Sequence, residues 1–82
     1  MGKIYIVEDY NSGEFYGFKT VDGVRKFLLD KFIDNMEKWY AVDGQTSAQA
    51  VEAMGKDLVN IMIGDYPYIE DAYYTHIVEV MD

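Results

Sequence analysis

Apolar residues recur along this chain with two different periods. Lys3 to Asp9 is rich in Ile, Tyr and Val, which suits a strand, and Asn11-Ser12-Gly13 ends it with turn residues. Glu14 to Lys19 is a second, aromatic run carrying Phe15, Tyr16 and Phe18. Two such runs around a Gly-containing loop predict a β-hairpin. Gly17 inside the second run predicts a bulge or a close backbone approach.

The period turns helical from Val21. Thr20 suits the N-cap, and Asp22 places a negative charge in the first turn, where the helix dipole favours it. At about 100° per residue, Val21, Val24, Leu28, Leu29, Phe32, Ile33, Met36, Trp39 and Tyr40 share one arc. Lys26, Asp30, Asp34, Glu37 and Lys38 share the opposite one. Phe27 is the exception: it points among Lys31, Asp34 and Lys38, either tucked under a loop or part of a contact patch.

Asp43-Gly44 marks a turn, and Thr46-Ser47-Ala48-Gln49 fits a capping box at the start of a second helix. That helix is expected to reach about Ile63, with Ala50, Val51, Met54, Leu58, Ile61 and Met62 as its apolar face and Gly64 as its left-handed terminator. Asp65-Tyr66-Pro67-Tyr68 reads as a loop whose Tyr66–Pro67 bond is cis or, by default, trans. Ala72 to Met81 reads as a last strand. Its two apolar faces predict a central position, or cover on both faces near its end, with pairing to the first strand. The elements give an α+β fold of ββααβ order: a three-stranded antiparallel sheet with two helices packed on one face, one compact domain over residues 1–82. Leu28 and Leu58 are then both core positions.

Composition supports a packed core, with half of the residues hydrophobic and 16% aromatic. The chain has no cysteine, so neither a disulfide framework nor a thiolate metal site arises. MGKIYIVED lacks the apolar stretch of a signal peptide, and no run approaches the length of a membrane span. A cytoplasmic protein without membrane attachment is the expectation.

Charge changes the picture most. Residues 1–40 hold seven acids and six bases, whereas residues 41–82 hold eight acids and one base, Lys56; the net charge is -8. A field of this sign repels nucleic acid and anionic lipid and attracts basic surfaces, including the grooves of nucleic-acid-binding proteins. Catalysis has little to draw on. His76 is the only histidine and lies mid-strand, and the serines are Ser12 in a turn and Ser47 in a helix cap. No phosphate-binding glycine motif occurs. Asp65, Glu70 and Asp71 lack the alternation of a calcium loop, so no metal or cofactor is expected. A non-catalytic protein follows.

Tyrosine beside acid is the strongest cue. Tyr66, Tyr68, Tyr73 and Tyr74 surround Glu70-Asp71, with Asp65 close by. Tyrosine supplies large contact area at low entropic cost, and interspersed carboxylates engage Arg and Lys. The candidate partner-binding residues are Asp43, Glu52, Asp57, Asp65, Tyr66, Tyr68, Glu70, Asp71 and Phe27. The chain resembles the small acidic inhibitors made by phages, which include anti-CRISPR proteins and other DNA mimics. The likeness is one of type, carried by length, acid excess and the segment Asp65-Tyr66-Pro67-Tyr68-Ile69-Glu70-Asp71. It implies a protein that occupies a basic nucleic-acid-binding surface of a host nuclease or defence complex. The alternative is a self-assembling structural module, a homodimer built on exposed aromatics and an edge strand at Glu14–Lys19.

Overall fold

The structure, a computed structural model, describes residues 2–40 and 47–80. Strands β1 (Gly2–Asp9) and β2 (Phe15–Phe18) form the hairpin, followed by helices α1 (Val21–Tyr40) and α2 (Ser47–Met62) and strand β3 (Tyr73–Val80). The fold is α+β, with an antiparallel sheet in the order β2-β1-β3. No helix among the described residues is long and apolar enough to cross a membrane. Asp43 and the cap residue Thr46 lie outside the described residues.

The hairpin forms because Asp9 satisfies the turn. Its carboxylate accepts the amides of Asn11 (2.9 Å) and Ser12 (3.2 Å), and its carbonyl accepts that of Gly13, which has φ 75°. Burial raises the Asp9 carboxyl, but these two amide hydrogen bonds outweigh it and hold the group below its usual range. Gly17 sits in an unbroken register between Tyr16 and Phe18, opposite Ile6, so the ladder has no bulge there. β1 is the central strand, because it alone pairs on both sides. β3 pairs with β1 as expected but runs along the outer edge, which corrects the central placement. Its inner face is buried at Tyr73 and Thr75, while its outer face carries exposed His76 and Val78.

Thr20 caps α1, its hydroxyl accepting the Gly23 amide at 3.1 Å. α1 lies on the inner face of the sheet, where Val24, Leu28 and Phe32 join Val7 in the core. The buried arc is rotated from the one that periodicity draws. Phe27 packs among the rings of Tyr16 (5.0 Å), Phe18 (5.2 Å) and Tyr73 (5.9 Å), with Lys31 at 5.4 Å from its centroid. Ile33 is left 62% exposed. The inward rings of the hairpin recruit Phe27, so the sheet and not the helix pattern sets the facing arc.

α2 packs beside α1 and against the segment joining it to β3. Of its expected apolar face only Ile61 is fully buried; Val51 is 67%, Met62 51% and Leu58 37% exposed. Leu58 is therefore not a core position. Gly64, with φ 91°, ends the helix in the left-handed conformation, and its carbonyl accepts Arg25 Nη2 at 2.7 Å, tying the end of α2 to α1. Beyond it the chain turns inward. The Tyr66–Pro67 bond is trans, Pro67 and Ile69 are buried, and the Thr75 hydroxyl donates to the Pro67 carbonyl.

Candidate functional site

The loop between α2 and β3 positions most of the candidate residues. Ile69 is the anchor: its amide donates to the Tyr73 carbonyl, and its own carbonyl accepts the amides of Ala72 and Tyr73. This tight return pushes Glu70 and Asp71 outward, Asp71 with φ 63°. That conformation is uncommon outside glycine but tolerated by Asp. The Asp71 amide donates to the Tyr74 hydroxyl at 2.9 Å, which fixes the turn from the strand side. Tyr74 in turn stacks on Tyr68, with centroids 6.0 Å apart and planes 8° apart, and meets Tyr10 edge-on at 4.9 Å.

The opposite wall is α2. Residues four apart on a helix share a face, so Gln49, Glu52, Ala53, Lys56 and Asp57 turn together toward the loop. With Glu70 and Asp71 they line a cleft of about 350 Å³. It continues on one side into a second hollow bounded by Asn11, Trp39, Tyr40 and Ala72, which shares Asp57, Glu70 and Asp71. On the other side it opens toward Tyr68, Val59 and Asn60, sharing Lys56 and Glu70. The three hollows form one groove between α2 and the loop.

The electrostatics of the groove are acidic. Glu52, Asp57, Glu70 and Asp71 face a single cation, Lys56, whose Nζ lies 3.9 Å from Glu52. That pair is well exposed on both sides and counts for little in stability. Asp57 is held in place by the Tyr40 hydroxyl, which donates to its Oδ2. Burial, the hydrogen bond and the charge of Asp57, in that order, push the Tyr40 hydroxyl well above its ordinary range. Among the described residues no three His, Cys, Asp or Glu side chains gather so as to hold a metal ion. The carboxylates line a groove; they do not converge on a point.

The candidate residues thus divide. Glu52, Asp57, Tyr68, Glu70 and Asp71 come together at the groove. Asp65 and Tyr66 border a different hollow, with Lys3, Tyr5, Ile77 and Glu79 at the sheet. Phe27 belongs to the aromatic layer between α1 and the sheet and is not a free anchor. Asp30 and Asp34 are exposed on α1 and border none of the three hollows. Sequence reasoning missed Tyr40 and Trp39, because their helical period places them in the core arc. It also missed Asn11, which reads only as a turn residue. His76 projects from the outer sheet face, exposed, with its Nε2 3.1 Å from Glu8 Oε1. No protein family, characterised protein or solved structure matches this chain.

Proposed function

We propose that this chain is a non-catalytic acidic binding protein that occupies a basic, nucleic-acid-binding protein surface, as phage-type inhibitors of host nucleases and defence complexes do. One observation carries the reading: Glu52 and Asp57 on α2 and Glu70 and Asp71 on the following loop line one groove, with Lys56 the only cation among its described lining residues. A groove of this kind receives Arg and Lys side chains from a partner, while Tyr40, Tyr68 and Trp39 along it offer aromatic faces to guanidinium groups. The field also steers association, so on-rates fall as salt rises. Asp65 and Tyr66 border a hollow at the sheet and lie outside this groove.

The test is capture from a host-cell lysate at low and high salt, followed by a nucleic-acid-binding assay of the captured protein. The expected result is a salt-sensitive nucleic-acid-binding protein that releases its nucleic acid when this chain is added. The double variant Glu70→Lys with Asp71→Asn loses that competition and stays folded, since both side chains are exposed and Asn tolerates the left-handed backbone at φ 63°. Salt-insensitive capture, or full competition by the double variant, refutes the proposal.

A further inference from the structure

The three hollows of the groove differ in chemistry. At the α1 end Trp39 and Tyr40 stand beside Asp57, Glu70 and Asp71. The centre is mainly polar, with Gln49, Glu52 and Lys56 added to the acids. The far hollow, about 650 Å³, is lined mainly by apolar surface: Gly55, Val59 and Tyr68 share it with Lys56, Asn60 and Glu70.

Local structure accounts for that change. Gly55 and Val59 are four apart on α2, so they lie on one face, a turn from each other. Val59 is 52% exposed. Tyr68 on the loop is held twice: its amide donates to the Asn60 carbonyl at 3.3 Å, and its ring stacks on Tyr74. Gly55 is the informative residue. A glycine inside a helix costs stability relative to alanine. A Cβ built on Gly55 meets nothing within 4 Å, so no contact among the described residues requires glycine there. A longer side chain would project from the wall of the hollow and take up its space.

We propose, resting on the groove as the site of a basic protein partner, that the segment it receives is bipartite. An arginine enters the acidic centre, and beside it an apolar side chain of leucine size sits against Gly55, Val59 and Tyr68. Glu70 borders all three hollows, so an arginine paired with it brings its own neighbours to the ends of the groove. The ends ask for different neighbours. The Tyr40 end holds Asp57, Glu70 and Asp71 and no base, which suits a second cation. The Gly55 end holds one acid, Glu70, and one base, Lys56, so charge does not draw a cation there. Burial of apolar surface is what drives its occupancy. A bare polycation would match the acids and leave this end uncovered, whereas a protein segment covers both.

Two arginine-containing peptides of equal length and charge test this. They are identical except for one residue beside an arginine, leucine in one and glutamine in the other. Fluorescence anisotropy at low and high salt reads their affinities for the full chain. The leucine peptide should bind about tenfold more tightly, and the advantage should persist at high salt, because apolar burial is not screened. Gly55→Gln occupies the hollow and should cut the advantage to about twofold or less, with the affinity of the glutamine peptide nearly unchanged. The same variant should melt at a higher temperature, because glutamine favours a helix more than glycine does, so the loss is not one of folding. Val59→Thr, which keeps the shape but adds a hydroxyl, should reduce the advantage in part. Equal affinity of the two peptides, or a leucine advantage that survives Gly55→Gln, overturns the proposal and leaves the acidic groove standing. Failure of both peptides to bind overturns the groove as a site for a basic partner, and this proposal with it.

Discussion

Leu28 and Leu58 look alike in the sequence, each on the apolar arc of a helix, but the structure separates them. Leu28 has no exposed surface and sits in the core with Val7, Val24 and Phe32. Leu58 is 37% exposed at the rim of α2. Truncating Leu28 to alanine removes about three carbon groups from a site closed to solvent, at ~0.8 kcal/mol of transfer energy each. The unfilled cavity adds to this, so Leu28→Ala should cost ~3–4 kcal/mol. A chain of this size has ~4–12 kcal/mol in all, so the variant should melt ~15–25 °C lower. Leu58→Ala opens no closed cavity and gives up only part of a transfer term, ~1 kcal/mol or less. Ile61→Ala, on the same helix and fully buried, provides the internal comparison and should cost ~2–4 kcal/mol. Urea denaturation followed by circular dichroism gives all three values, with the chain dilute enough to be monomeric. Equal losses for Leu58 and Ile61, or a loss under about 1 kcal/mol for Leu28, would show that α2 or α1 is rotated from the orientation described.

Other variants test the supports of the groove. Tyr40→Phe leaves the Asp57 carboxylate without its donor and should destabilise by ~1 kcal/mol at neutral pH in the same denaturation assay. Tyr40 and Tyr73 have hydroxyls raised chiefly by burial, and Tyr16 is pushed up to about 12 chiefly by its hydrogen bond to Glu14. A folded-state value above the unfolded one gives stability that is whole below about pH 10 and is lost as pH rises through the folded values. Stability should therefore decline above pH 10, and less steeply in Tyr40→Phe, as read from melts across that range. Gly64→Ala forces a side chain into φ 91° and should cost ~1 kcal/mol, whereas Gly55→Ala should raise stability by ~0.5–1 kcal/mol. Thr75→Val leaves the buried Pro67 carbonyl without its donor and should cost ~1–2 kcal/mol by the same denaturation.

Local signals carried the fold a long way. The hairpin loop, the Thr20 cap, the Gly64 terminator and the strand and helix order are all set by residues within a few positions of each other, so their chemistry is legible along the chain. Facing is not local. Phe27 points the wrong way by helical period and is drawn inward by rings contributed from β2 and β3. Val51 and Met62 read as core, but α2 meets α1 along a narrower strip than its apolar arc, and among the described residues both stay more than half exposed. β3 shows apolar residues on both faces without being central, because its outer face is simply left open. The groove was half legible. Clustering of acid and tyrosine pointed to Tyr68, Glu70 and Asp71, but the pairing of that loop with Glu52 and Asp57 is a tertiary fact, and so is the removal of Asp65 and Tyr66 to another surface.

The central claim is that the acids act through one groove and not as a diffuse field. Amide chemical-shift mapping during titration with an arginine-rich peptide, at low and high salt, tests it most directly. The account predicts salt-sensitive shifts concentrated at Gln49–Asp57 and Tyr68–Ala72, with little change at Asp30, Asp34 and Glu79. Shifts spread evenly over every exposed acid, or none at all, would contradict it.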